Sequence, residues 1–167
     1  MFAPSITNKI VMVENESTVE NTKQSKNEFH GLRPSSAFIG ASWFALGVGL
    51  VSYCIGLWNS DMMLNEQGYY FAVILFGLFS VISVQKSVRD RAENIEVTDL
   101  YYGISWFTTI TAIALLIIGL WNADLLLSEK GFYGMSFSLA LFSAIAVQKN
   151  TRDVKLIDRM SGTVDSF

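Results

Sequence analysis

Four stretches of this chain carry no Asp, Glu, Lys or Arg: Pro34 to Ser60, Gln67 to Gln85, Leu100 to Ala123 and Gly131 to Gln148. A helix crossing about 30 Å of hydrocarbon needs roughly 20 mostly apolar residues, within a range of about 17–25. All four stretches reach that length, the last one only just. Buried helices of a soluble bundle would keep a polar stripe at helical spacing, and these keep none. Only 16% of the residues are charged, where soluble domains carry about a quarter. The fold class read from this pattern is all-α, a polytopic membrane protein with four transmembrane helices.

Lys and Arg are distributed unevenly around those spans. Lys9, Lys23, Lys26 and Arg33 precede the first, and Lys86, Arg89 and Arg91 lie between the second and third. Lys149, Arg152, Lys155 and Arg159 follow the fourth, while the two short loops hold only Lys130. Positive residues stay cytoplasmic, so both termini are expected inside and the short loops outside. The first apolar run begins after a polar tail, too late for a cleavable signal peptide, and is expected to act as an uncleaved anchor. The single cysteine, Cys54, excludes a disulfide framework or a Cys-based metal site. A net charge of −3 gives no reason to expect a nucleic-acid partner.

Residues 1–34 are polar and balanced in charge, too poor in apolar surface to offset ordering entropy, and are expected to be a flexible cytoplasmic tail. His30 within it stands alone and is expected to be solvated. The remainder is a tandem repeat. At a constant offset of 63, residues 40–90 match residues 103–153 at 23 of 51 positions. The shared positions include Trp, Asn, Asp, Glu, Gln and Arg, which chance similarity between apolar runs would not preserve. The expected units are 35–92 and 98–155, each a helical hairpin, followed by a cytoplasmic tail over 156–167. Two spans per unit make both copies enter the membrane in the same direction. The repeats are therefore expected to be related by a pseudo-two-fold along the membrane normal.

The most strongly preserved segment is the short outer loop, Gly56 to Tyr70 and Gly119 to Tyr133. It repeats Trp58, Asn59, Asp61, Glu66, Gly68 and Tyr70 as Trp121, Asn122, Asp124, Glu129, Gly131 and Tyr133. A structural reading covers most of these residues. Tryptophan suits the membrane interface, and Asn59 and Asn122 can end a helix in left-handed C-cap geometry. Asn65 and Ser128 are expected N-caps of the return helices, with Glu66 and Glu129 in the favourable first turn. Leu64 with Tyr69, and Leu127 with Phe132, are expected hydrophobic staples. Asp61 and Asp124 are explained least. Two such loops around one axis would gather Asp61, Glu66, Asp124 and Glu129 on one face, where paired carboxylates could hold a cation. The expectation is instead that all four bond to nearby backbone N–H groups, with no metal and no cofactor.

A second preserved motif lies at the inner end: Gln85, Lys86, Arg89 and Asp90, repeated as Gln148, Lys149, Arg152 and Asp153. It is expected to set cations at helix C-termini and lipid headgroups. Ser36 and Asp99 are the expected caps of the outward-going helices. Ala41, Ala45 and Gly49, and likewise Ser136, Ala140 and Ala144, are small residues spaced by four, a pattern that permits close helix approach.

The LWN-x-D linker, the following L-x-E-x-G and the Q-K-x-x-R-D end together resemble the YiaA/YiaB inner-membrane protein family. The resemblance covers both units, about residues 35 to 155, and implies a small bacterial inner-membrane protein built from one or two such hairpins. It implies no catalytic or binding residue.

The function expected is a structural or protein-interaction role in the inner membrane, the partners being the bilayer and a second copy or a larger membrane protein. The spans contain no ionisable residue of the kind that marks ion pathways and proton relays. The rival is a small-solute channel or transporter lined by Ser42, Ser80, Thr108, Thr109, Thr111 and Ser143. An enzyme is not expected: the membrane part offers no His, no Cys pair, no phosphate-binding loop and no Ser–base constellation.

Overall fold

The computed structural model describes residues 33–164, with side chains through Met160. The expected N-terminal tail, His30 included, lies outside the described residues apart from Arg33 and Pro34. Four helices follow: α1 (Ser36–Trp58), α2 (Leu64–Ala92), α3 (Asp99–Asn122) and α4 (Leu127–Val164). All four are long and apolar enough to cross a membrane. Each hairpin is a helix, a short loop and a second helix; α1 and α3 are named the outward helices, α2 and α4 the return helices, and the bundle end at the short loops the outer end. α4 continues in helical form through Arg152 and Asp153. Its inner-end motif is therefore mid-helix rather than C-terminal, unlike Arg89 and Arg91 in the last turn of α2.

The described residues form two compact units. The smaller comprises residues 33–35 and 150–164 of the described range, and within it Arg33 pairs with Asp158 at 3.5 Å. The larger, Ser36–Lys149, holds the bundle. In the most apolar window of each span, 44% is buried for α2 and α4 against 17% and 22% for α1 and α3. The two return helices are therefore central and the outward helices peripheral. Tyr70, Val73, Ile74, Tyr133, Phe137, Ala140 and Leu141 of the return helices fill the core, with Tyr53 and Leu57 from α1 and Leu116 from α3. Toward the inner end the buried residues of α2 include polar ones, Ser80, Ser83, Ser87 and Asp90, beside Val81 and Val84.

The outward helices do not lean chiefly on their own partners. Gly49 of α1 lies so close to α4 that an added Cβ would stand 2.8 Å from the Ala140 backbone nitrogen. Nearer the outer end, a Cβ on Gly56 would meet the rings of Phe132 and Tyr133. The equivalent Gly119 of α3 is closed in the same way by the rings of Tyr69 and Tyr70 on α2. Each outward helix thus packs on the return helix of the other repeat. Of the small-residue stripes, Ser136, Ala140 and Ala144 are all buried, but on α1 only Gly49 is, with Ala45 half-buried and Ala41 exposed. A spacing of four overshoots the helical turn by about 40° at each step, so Ala41 has rotated off the face that carries Gly49.

Several helix ends differ from expectation. α3 is capped by Thr98, whose hydroxyl accepts from the Tyr101 N–H at 3.4 Å. Asp99 is the first helical residue instead, and its carboxylate pairs with Arg91 across the connection. The guanidinium of Arg91 also stands 4.0 Å from the centre of the Tyr102 ring. The connection itself turns at Asn94, the one non-glycine residue with positive φ, 57°, among those described. The Ile95 N–H donates to the Asp90 carbonyl and the Asn94 N–H to that of Arg91, the paired bonds of a Schellman C-cap. Ser36 opens α1 as its first helical residue.

Candidate functional site

The duplicated loops organise the outer end of the bundle. Each return helix starts two residues earlier than expected, so the N-cap positions are Met63 and Leu126, with Asn65 and Ser128 already helical. Leu has no side-chain acceptor and the Met thioether is only a weak one; Met63 makes no side-chain cap bond. Glu66 and Glu129 reach back instead: their Oε2 atoms accept from the Met63 N–H at 2.9 Å and the Leu126 N–H at 2.8 Å. This is the glutamate half of a capping box. With the helix start shifted, Leu64 and Leu127 point outward and are nearly fully exposed, so the expected staples do not form. Met62 and Leu125 tuck against the core instead.

Asn59 and Asn122 end α1 and α3, but without left-handed backbone. Their side-chain Nδ2 atoms donate to the Ile55 and Ile118 carbonyls at 2.9 and 2.8 Å, each four residues earlier. The Ile55 carbonyl also accepts from the Asn59 backbone N–H at 3.0 Å, so the side chain adds a second bond at the helix end. Beside them, Trp58 and Trp121 project outward, 87% and 83% exposed, as interface anchors do.

Cross-repeat packing brings these pieces together as two cavities. One, of about 290 Å³, is lined by Asn65, Glu66, Tyr69, Tyr70, Gly119, Asn122 and Ala123. The other, of about 300 Å³, is lined by Gly56, Asn59, Ser60, Ser128, Glu129, Phe132 and Tyr133. The two sets are related position by position by the offset of 63. Each joins the outer end of one repeat's outward helix to the first turns of the other repeat's return helix. In each, two rings of the return helix meet edge to face: Tyr69 and Tyr70 at 5.3 Å and 79°, Phe132 and Tyr133 at 5.8 Å and 75°. Tyr70 and Tyr133 also stack across the centre at 6.0 Å. Tyr53, fully buried, sets its ring edge-on to Tyr133 at 5.5 Å and donates its hydroxyl to the Tyr70 carbonyl at 3.1 Å.

The copies differ in detail. The Tyr69 hydroxyl donates to the Leu115 carbonyl at 2.7 Å, a bond that Phe132 cannot make. Gln67 Nε2 reaches the Ser60 and Met62 carbonyls at 3.4 and 3.3 Å, where the second copy has Lys130.

Among the residues singled out from the sequence, Asn59, Glu129 and Tyr133 meet in one cavity and Asn122, Glu66 and Tyr70 in the other. Trp58, Trp121, Asp61 and Asp124 lie outside both linings. Asp61 and Asp124 are exposed, and no hydrogen bond to either carboxylate occurs among the described residues, where the expectation was that they bond to the turn. No group of three or more His, Cys, Asp or Glu side chains is placed to hold a metal ion among the described residues. Gly68 and Gly131 have open space where a Cβ would go. The close approaches belong to Gly56 and Gly119, and their place within the duplicated segment was the available signal. The aspartates give a direct test. Asp61→Asn/Asp124→Asn should change stability by no more than about 0.5 kcal/mol, as surface substitutions do. Glu66→Ala/Glu129→Ala should cost about 1 kcal/mol for each lost cap acceptor. Thermal melting in detergent separates the two, and equal losses would put the aspartates back among the turn's supports.

At the inner end, Gln85 Nε2 donates across the central seam to the Ile145 carbonyl at 3.2 Å. The Ser87 and Ser105 hydroxyls, both buried, lie 3.0 Å apart and join α2 to α3. Arg89 pairs with its neighbour Asp90 at 2.8 Å. Lys86 and Lys149 are exposed. Arg152 and Asp153 lie on the continuing helix α4.

The family of the yiaA/B two helix domain matches residues 38–90 and again 101–153. Inner membrane protein YiaA of Escherichia coli K12 is 59% identical over 119 residues, 71% of this chain and 82% of the relative. Inner membrane protein YiaB of the same organism is 30% identical over 57% of this chain and 80% of its own length. Uncharacterized membrane protein YubF of Bacillus subtilis 168 is 39% identical over 39% of this chain and 76% of its own. No solved structure matches. With four spanning helices and the two-helix domain present twice over most of its length, this chain belongs to the YiaA/YiaB family of membrane proteins.

Proposed function

We propose that the protein has a structural or protein-interaction role in the bacterial inner membrane. The observation that carries this reading is the filled central seam. Where a four-helix channel would need an open axis, Tyr53, Tyr70, Ile74, Tyr133, Phe137 and Leu141 pack against one another. The hydroxyls that could line a pore are largely occupied on their own helices. Ser42, Ser80, Thr108, Thr109 and Thr111 donate to the carbonyls of Phe38, Phe76, Ile104, Ser105 and Phe107, each four residues earlier. Such bonds are the ordinary use of Ser and Thr in membrane helices. Proteoliposomes carrying the protein should therefore pass small ions and neutral solutes no faster than empty ones, while crosslinking in intact membranes should capture a protein neighbour or a second copy. Solute flux above background would favour the channel reading.

We further infer that both termini face the cytoplasm, from the eleven-to-one distribution of Lys and Arg. Reporter fusions after Asn65 and Ser128 should read periplasmic, and those after Glu93 and at the C-terminus cytoplasmic. A periplasmic C-terminus would overturn this orientation.

A further inference from the structure

The two outer cavities are built alike, and in each the one fully charged lining side chain is a carboxylate. In each, the Glu carboxylate commits Oε2 to a backbone N–H, which leaves Oε1 without a donor among the described residues. The Asn side chain commits Nδ2 to the helix-end carbonyl, which leaves the amide oxygen as an acceptor. No Lys or Arg lines either cavity. The wall is an edge-to-face aromatic pair, Tyr69 with Tyr70 or Phe132 with Tyr133. A negative charge, a free amide oxygen and two rings at right angles suit a small cation that carries several N–H donors. A carboxylate strengthens a hydrogen bond to a cation, and aromatic rings attract an ammonium by their quadrupole.

Place and size narrow the ligand further. Trp58 and Trp121 adjoin Asn59 and Asn122 and are exposed, which sets the cavities at the depth of lipid headgroups. About 290 and 300 Å³ is at the small end of ligand-binding cavities. We propose that each outer cavity binds one primary ammonium group, contributed by the ethanolamine headgroup of a lipid in the adjoining leaflet or by a free small amine. Glu66 with Asn122, and Glu129 with Asn59, supply the acceptors. Because the acceptors come from different repeats, an ammonium bound there also ties the two hairpins together at their outer ends.

The test uses the full chain purified in mild detergent, with lipid occupancy read by native mass spectrometry. The probes are phosphatidylethanolamine and phosphatidylglycerol of matched acyl chains. Wild type should retain up to two phosphatidylethanolamine molecules in preference to phosphatidylglycerol. Glu66→Gln/Glu129→Gln keeps an oxygen acceptor for the capping N–H but removes the charge. It should melt close to wild type yet bind phosphatidylethanolamine roughly tenfold more weakly at each site. Asp61→Asn/Asp124→Asn removes the same charge from the same loops outside the cavities and should leave the preference intact.

A second arm titrates soluble ethanolamine against bound lipid. Displacement that depends on Glu66 and Glu129 identifies a free amine as sufficient. Failure to displace, with lipid binding still glutamate-dependent, assigns the site to the headgroup of an anchored lipid. The proposal is overturned if wild type shows no preference between the two lipids or if the preference survives in the glutamate variant. It is equally overturned if the aspartate variant loses the preference as fully, since bulk charge would then explain it.

Discussion

Gly49→Leu should detach α1 from the bundle and cost more stability than any other single change on that helix. The reason is distance. A Cβ at Gly49 would lie 2.8 Å from the Ala140 nitrogen, 3.0 Å from its Cα and 3.2 Å from its Cβ. Two of those three atoms are backbone, which cannot swing aside as a side chain can. Even Gly49→Ala must push the helices apart, and overpacking of this kind costs about 1–3 kcal/mol. Leucine adds three carbons to a seam that is already closed, so its loss should exceed that of alanine. Ala140→Leu approaches the same crossing from the other side and should behave alike. The control lies two residues away. Gly47 is exposed with nothing near its absent Cβ, so Gly47→Leu meets only lipid. It should be neutral or slightly stabilising, because leucine is the better helix former by up to about 1 kcal/mol. Melting of the four variants in detergent checks the order. Equal melting of Gly47→Leu and Gly49→Leu would mean that α1 does not dock there.

That crossing also marks how far the sequence could be read. Charge-free length fixed the four spans, because a bilayer imposes a length that few other environments demand. The offset of 63 fixed the duplication. Glu66 and Glu129 were legible as first-turn residues because the helix dipole favours them there. Their back-bond to Met63 and Leu126 was not legible, since Asn65 and Ser128 are far better N-caps by residue type. What decided the helix start was the pull of Met62 and Leu125 into the core, a tertiary effect. Asn59 and Asn122 were correctly placed at helix ends, yet they act through a side-chain donor rather than through backbone conformation.

Pairing of helices across repeats was the least legible feature. A membrane helix is apolar all round, so no stripe of polarity shows which face meets protein and which meets lipid. Small residues carry that information only coarsely, as the divergence of Ala41 from Gly49 shows. The two cavities followed from this pairing and were hidden for the same reason: their linings join residues that lie far apart along the chain.

Expressed alone, residues 1–95 should fail to form a stable monomeric hairpin, and coexpression with residues 96–167 should restore a one-to-one complex. Within its own repeat α1 reaches α2 through Tyr53, whose hydroxyl donates to the Tyr70 carbonyl. Its tighter contacts, at Gly49 and Gly56, are with Ala140, Phe132 and Tyr133 of the other repeat. α3 repeats the arrangement through Gly119 on Tyr69 and Tyr70. A lone first repeat would leave the packing face of α1 bare and half of the central seam exposed. In a bilayer such faces gain little by burial in lipid and are stabilised mainly by close packing and interhelical bonds, so the lost partner has no substitute except another hairpin.

The reciprocal pattern, in which residue i of one repeat meets residue j of the other and the reverse also holds, is that of a two-fold interface. We propose on this ground that the repeats are related by a half-turn about the membrane normal. Two copies of residues 1–95 could then pair as the two repeats do. Size-exclusion chromatography with light scattering should accordingly find the lone half as a dimer or aggregate, and the coexpressed halves as one copy of each. The cut itself falls after the Schellman turn at Asn94. It leaves the buried Ser87–Ser105 contact and the Arg91–Asp99 pair available to rejoin the halves. A monodisperse, fully helical monomer of residues 1–95 would show that each hairpin is self-sufficient and that the exchange between repeats is not what holds the bundle.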